Sequence, residues 1–259
     1  MQAKAIYFSY HQEEQLIENL SVHIKEGIVT TIIGPNGSGK STLLGLLTRM
    51  YHLQKGSIFI NNKNIETFKQ NELAKKIAIV HQNNVVDSEI TVEKLVSYGR
   101  NPYLGTFDPL GEDDYRIIDE ALKTTGLYEV KERSIGEISG GQRQRAWIAM
   151  SLCQNTDILF LDEPTNSLDI YYQIETLEFV KQLNRKKGIT IIMVLHDINQ
   201  ALGYSDEIIV MKNGKIYKKG KPLEIINEAL MKEVYHVKGR IVKDNETGSH
   251  YVVTDKFNE

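Results

Sequence analysis

The sequence predicts an α/β protein: a mixed sheet, an antiparallel β portion near its start, and a helical segment inserted between two strands. Three observations predict it. Short β-branched apolar runs, IVTTII (28–33), KIAIV (76–80), DILFLD (157–162) and ITIIMVL (189–195), each lead toward a helical or loop segment, as parallel strands covered on both faces do. AKAIYFSY and LSVHIK alternate apolar and polar residues, the period of half-buried antiparallel strands. Between KIAIV and DILFLD, from about Val85 to Leu152, apolar residues recur at helical spacing in TVEKLVSYG, EDDYRIIDEALKTTG and GGQRQRAWIAMSL. The last part alternates again in DEIIVMKNGKIYKKG, with Asn213-Gly214 as a hairpin turn, and in GRIVKDNETGSHYVVT around a second turn. The expected division is therefore a core of 1–84 and 153–235, a helical subdomain of 85–152, and a C-terminal β hairpin of 236–259.

The 259 residues carry 31 Lys+Arg against 34 Asp+Glu, a net charge of −3, with 41% hydrophobic and 25% charged residues. Such a chain buries a real core, and disordered, collagenous and disulfide-framework readings are excluded. A sequence pI of about 6.2 gives no global basic field, so no nucleic-acid partner is expected. Cys153 is the single cysteine, which rules out an internal disulfide and makes a cytoplasmic address the expectation. The longest uncharged run, Gly27 to Gly39, falls short of the ~20 apolar residues that cross a bilayer. The first residues, MQAKAIYFSYHQEE, lack the basic start and apolar stretch of a secretory signal.

The strongest local signal is GPNGSGKS, Gly34 to Ser41, which follows the strand-like IVTTII and precedes the helical TLLGLLTRM. Its glycines let successive N–H groups, from about Asn36 to Ser41, converge on phosphate oxygens at a helix N-terminus. The nucleotide set is Gly34, Asn36, Gly37, Ser38, Gly39, Lys40, Ser41 and Thr42. Lys40 adds a charge that reaches the β and γ phosphates, and the Ser41 hydroxyl takes a place around Mg²⁺. ILFLDE, ending in Asp162 and Glu163, puts two carboxylates at the end of an apolar strand, where ligands bind in open α/β sheets. Asp162 is expected to face the metal and Glu163 the attacking water. A second glycine pair, in Ile138-Ser139-Gly140-Gly141-Gln142, opens another helix and offers a second anion site. Cys153 lies on that helix and reads as a small buried hydrophobe.

These motifs, in this order, resemble the ATP-binding subunit of an ATP-binding-cassette (ABC) transporter. They are the phosphate loop, a Q-loop glutamine at Gln82 in IVHQN, the signature ISGGQ, the acidic strand, a D-loop at Ser167-Leu168-Asp169, and a switch histidine at His196 in VLHD. The resemblance covers roughly 1–235 and implies an ABC-type P-loop ATPase core with an antiparallel β subdomain plus a helical subdomain. It implies that Tyr10 stacks on adenine, that Gln82 touches Mg²⁺ or the water, and that His196 donates to the γ phosphate or orients the water. Two copies would face head to tail, each ATP lying between the phosphate loop of one and the signature of the other. Ser139 and the Gly141 amide would contact the γ phosphate in trans, with Gly140 and Gln142 beside them, and Asp169 would tie the D-loop across the interface. Ile138 stands where Leu is usual.

TVEKLVSYGRNPYLG, Thr91 to Gly105, is similar to the segment after the Q-loop in importers of ferric siderophores, haem and cobalamin, with Gly-Arg-x-Pro as its mark. That similarity implies a peripheral ATPase on the cytoplasmic face of the cell membrane, bound to integral-membrane permease subunits and served by an extracytoplasmic binding protein. A ferric siderophore is the first expectation for its cargo. Haem, cobalamin or a metal ion, an exporter or amino-acid importer subunit, and a soluble non-transport ABC ATPase are the alternatives.

Overall fold

The computed structural model describes residues 1–10, 16–105, 108–166 and 168–255, so Ser167 of the D-loop motif lies outside the described residues. The chain forms two compact units, one of Met1–Thr67 with Thr190–Glu259 and one of Phe68–Ile189. The first unit begins with β1 (Gln2–Phe8), β2 (Ile17–His23), β3 (Val29–Ile33), α1 (Lys40–Leu47), β4 (Lys55–Ile60) and β5 (Lys63–Asn64). β2, β1, β4 and β5 make a four-stranded antiparallel sheet in that order. β1 buries Ala3, Ile6 and Phe8, a pattern that breaks strict alternation because Ala5 sits at φ +44° in a bulge. The Ala5 N–H there donates to Ser21 Oγ at 2.8 Å. β3 differs in kind, since all five of its residues are buried.

The second unit carries α2 (Gln70–Ala74), β6 (Ile77–Val80), α3 (Val92–Ser97), α4 (Glu112–Thr124), α5 (Gly140–Cys153), β7 (Ile158–Asp162) and α6 (Ile170–Lys187). β6 and β7 pair in parallel, Ile77 opposite Ile158 through Val80 opposite Leu161. Everything from α3 to α5 lies between them in the chain. Those three helices pack on one another and carry fully buried Leu95, Val96, Leu122 and Ile148, each contributing about 1.5–3 kcal/mol through its burial.

The chain then returns to the first unit with β8 (Thr190–Val194), α7 (Ile198–Tyr204), β9 (Glu207–Lys212), β10 (Lys215–Gly220), α8 (Pro222–Ile225), α9 (Glu228–Tyr235), β11 (Lys238–Lys243) and β12 (His250–Asp255). β3 lies between β8 and β9 and runs parallel to both. β10 folds back antiparallel on β9 through Asn213 at φ +49° and Gly214 at φ +71°, the two left-handed residues a tight hairpin needs. β11 and β12 form a separate hairpin. Asn199 of α7 holds β12 by both ends of its amide, donating to the Val252 carbonyl at 3.3 Å and accepting from the Val252 N–H at 2.6 Å.

Candidate functional site

The phosphate loop begins where β3 ends. Gly34 has φ +152°, and a Cβ there would overlap the carbonyl oxygen of Met211, on the neighbouring strand β9. Only glycine fits so close an approach. The loop closes with Ser38 N–H donating to Pro35 O at 3.2 Å, and Gly214 N–H donating to Ser38 O at 3.0 Å. α1 starts from Gly39, at φ +95°, with no side-chain cap and no acidic residue in its first turn. Its leading amides therefore present an anion site without an internal carboxylate competing for them. The Lys40 ammonium is buried and donates to the carbonyls of Gly34 at 2.9 Å and Pro35 at 3.0 Å, which holds its charge at the centre of the loop. Ser38 Oγ is buried and meets no hydrogen-bond partner among the described residues. A buried hydroxyl in that position suits a phosphate oxygen, since an unpaired one is costly. Ser41 is exposed on the first turn and Thr42 is buried behind it.

Tyr10 donates to or accepts from Thr42 Oγ1 at 3.0 Å. Its ring meets Phe8 edge-on at 5.0 Å and Tyr51 edge-on at 5.6 Å, while Phe8 and Tyr51 stack. Tyr10 is nevertheless 54% exposed, so this anchored ring keeps a surface for an aromatic ligand.

Strand register places the switch histidine. β3 and β8 pair Ile32 with Val194, and Leu195 N–H donates to Ile32 O at 3.2 Å. Two residues further on along each parallel strand come Gly34 and His196, so the histidine follows the strand next to the phosphate loop. It is exposed. Asp197 fixes the backbone after it by capping α7, accepting from the N–H groups of Asn199 at 2.6 Å and Gln200 at 2.9 Å.

In the second unit the same reasoning joins the Q-loop to the acidic strand. Val80 pairs with Leu161, which sets Gln82 and Glu163 side by side two residues beyond. Gln82 Nε2 donates to Glu163 Oε2 at 2.6 Å. Glu163 adopts φ +51°, a left-handed conformation costing about 1–3 kcal/mol that persists where the surroundings enforce it. Asn166, a residue the sequence reading did not single out, donates from Nδ2 to the same Glu163 oxygen at 3.2 Å. Asp162, the last residue of β7, is half-buried just before it.

The signature forms a capping box. Ser139 Oγ accepts from Gln142 N–H at 3.2 Å, and Gln142 Oε1 accepts from Ser139 N–H at 3.0 Å. Its two glycines differ in surroundings. A Cβ on Gly141 would overlap the ring of Tyr172, whereas one on Gly140 would meet only Leu168 Cδ2, at 3.7 Å. Gly141 is thus demanded by packing, whereas Gly140 has room for a Cβ in ordinary contact with Leu168. Asp169 occupies the N-cap position of α6, exposed, without a side-chain capping bond. Cys153 is fully buried, and burial pushes its thiol up to about 12, which leaves it inert at neutral pH.

A phosphate loop after one buried strand and paired carboxylates at the end of another define the class of protein: an ATP-binding, ATP-hydrolysing cassette. The model of the ABC transporter family matches residues 17–166. The petrobactin import ATP-binding protein FpuC of Bacillus anthracis is 44% identical, over 92% of this chain and 88% of that protein. The iron(3+)-hydroxamate import ATP-binding protein FhuC of Bacillus subtilis is 42% identical, over 92% and 89%. Among solved structures, a dimeric ATP-binding cassette in a post-hydrolysis state bound to ADP and Pi is 30% identical with a TM-score of 0.72, over 85% of this chain and 98% of that one. An inward-facing putative metal-chelate type ABC transporter shares the fold with a TM-score of 0.86 at 24% identity, over 99% and 97%. The chain belongs to the ABC transporter family and is an ATP-binding subunit of it.

Proposed function

We propose that this subunit energises import of an iron chelate, in the first place a ferric siderophore, through integral-membrane permease subunits. The observation that carries this reading is the 42–44% identity, over nine-tenths of the chain, to ATP-binding proteins of petrobactin and iron(3+)-hydroxamate import. The GRNPYLG segment agrees with it. Among the described residues no helix is long and apolar enough to cross a membrane, which suits a peripheral subunit; its place in this reading is the cytoplasmic face, with an extracytoplasmic binding protein delivering cargo to the permease and not to this subunit. The working division is a RecA-like core of 1–84 and 153–235, a helical signature subdomain of 85–152 and a hairpin of 236–259.

In this reading Tyr10 stacks on adenine, and Gly34, Asn36, Gly37, Ser38, Gly39, Lys40, Ser41 and Thr42 bind the phosphates. Ser41, Asp162 and Gln82 suit Mg²⁺ because all three offer oxygen donors. Among the described residues no group of three or more His, Cys, Asp or Glu side chains could hold a metal by itself, as befits an ion held largely by phosphate and water. Bound there, Mg²⁺ neutralises charge on the phosphate oxygens. Glu163 takes the proton of the attacking water, and His196 donates to the γ phosphate. Ser139, Gly140, Gly141, Gln142 and Asp169 act on the nucleotide of a second copy, so ATP closes the dimer and hydrolysis reopens it. The dimeric cassette with ADP and Pi supports that arrangement.

Uptake of radiolabelled ferric siderophores, across a panel, by a strain lacking the gene tests the reading. Uptake lost in the deletion, restored by wild type and not by Glu163→Gln, is the expected result. Uptake unchanged throughout overturns siderophore import and turns the search to haem, cobalamin, a metal ion or a non-transport role.

A further inference from the structure

Two amides converge on one carboxylate oxygen at the end of β7. Glu163 Oε2 accepts from Gln82 Nε2 at 2.6 Å and from Asn166 Nδ2 at 3.2 Å. We propose that Asn166 is a positioning residue for ATP hydrolysis, acting through the Glu163 carboxylate. This rests on Glu163 being the base.

A glutamate carries three side-chain torsions, and one that is not fully buried, as Glu163 is not, samples several rotamers unless its carboxylate is held. A base must be held far more tightly, because misplacement by about 1 Å costs on the order of 100-fold in rate. Gln82 alone is a poor anchor for that purpose. It sits beyond the end of β6, is itself exposed, and carries a second duty toward Mg²⁺ or the water in the proposed mechanism. When Gln82 turns to the metal, Asn166 remains as a donor to Oε2. Its own position is set independently of its side chain, because the Asn166 N–H donates to the Glu163 carbonyl at 3.1 Å and closes the turn. Nor does its backbone call for asparagine: Asn166 is absent from the residues with positive φ, whereas Glu163 is among them at +51°. With turn and backbone satisfied without it, the amide is what the position supplies. Asn166 is exposed, so truncating it leaves the core intact.

The test is steady-state ATPase of the full chain assembled with its permease, comparing Asn166→Ala, Asn166→Ser, Glu163→Gln and the double variant Asn166→Ala/Glu163→Gln. Asn166→Ala is expected to lower kcat roughly tenfold with KM for ATP, ATP affinity and thermal midpoint unchanged. Asn166→Ser, whose hydroxyl still donates, should recover part of that loss. In the Glu163→Gln background Asn166→Ala should change residual turnover less than twofold, because the carboxylate it positions is gone. Wild-type kcat in Asn166→Ala, or an equal tenfold loss in both backgrounds, overturns the proposal. Normal turnover in Glu163→Gln would instead overturn the assignment of Glu163 as base, which keeps the two failures distinct.

Discussion

At the scale of single residues, the two signature glycines make opposite demands. Gly141 lies under the Tyr172 ring with no room for a methyl, while a methyl on Gly140 would meet Leu168 at an ordinary contact distance. Gly141→Ala is therefore expected to destabilise the protein by about 1–3 kcal/mol through overpacking, read as a lowered denaturant midpoint. Gly140→Ala should leave that midpoint unchanged or slightly raised, since alanine favours helix over glycine. Any loss of hydrolysis in Gly140→Ala would then report the approach of nucleotide and not a damaged fold. Sequence spacing makes the pair look equivalent; only the ring carried by α6 separates them.

At the scale of elements, the Gly-Arg-x-Pro segment turns out to be an internal staple. A Cβ on Gly99 would overlap the Met150 carbonyl of α5. Arg100 is buried, pairs with Asp114 of α4 at 2.8 Å, donates to the Cys153 carbonyl at 2.8 Å, and stacks on Tyr103 at 4.0 Å. One guanidinium thus ties α4 and α5 to the turn after α3. Arg100→Ala should cost about 3–5 kcal/mol, the usual result of stranding one partner of a buried pair. The N–H of Gly111 and the Arg100 guanidinium hold the Asp114 carboxyl below its usual range. That contribution is present above the ordinary carboxylate value, about pH 4, and is lost as pH falls through the depressed native one. Acid titration of wild type against Arg100→Ala, followed by circular dichroism, should show the wild type losing part of its advantage in that window. A midpoint unmoved by the substitution would refute the staple.

Legibility divides along the same line. The phosphate loop is readable because eight contiguous residues carry it, and β3, β7 and β8 because buried parallel strands read as short runs of apolar and β-branched residues with no charge before their ends. Gly99 and Arg100 read in the sequence as a subfamily mark, since nothing local says that Asp114 and Cys153 fold back onto them. The bond between Gln82 and Glu163 spans 81 residues and follows only from the register of β6 on β7. β5, α2 and α8, with two, five and four residues, are too short to show a period.

At the scale of the whole molecule, the capping box accounts for Ser139 and the Tyr172 ring for Gly141, whereas exposed Gly140 has room for a Cβ within the single chain, and the proposed dimer supplies the reason for a glycine there. Ser139→Arg should leave ATP affinity of the isolated chain at the wild-type value, measured by fluorescent-nucleotide titration. It should abolish ATP-induced dimerisation of a Glu163→Gln background, measured by light scattering. Dimers that persist in the double variant would place the signature outside the interface.

The parallel register that seats Gln82 beside Glu163 also insulates them. Every residue of α3, α4 and α5 belongs to one excursion leaving the sheet at Val80 and rejoining it at Ile158, and lengthening such an excursion adds only about 0.6 kcal/mol per doubling. For an engineer this makes the excursion an exchangeable cartridge. A segment from another cassette, joined after Gln82 and before Ile158, should therefore leave the bond between Gln82 and Glu163 in place at the ends of the two strands.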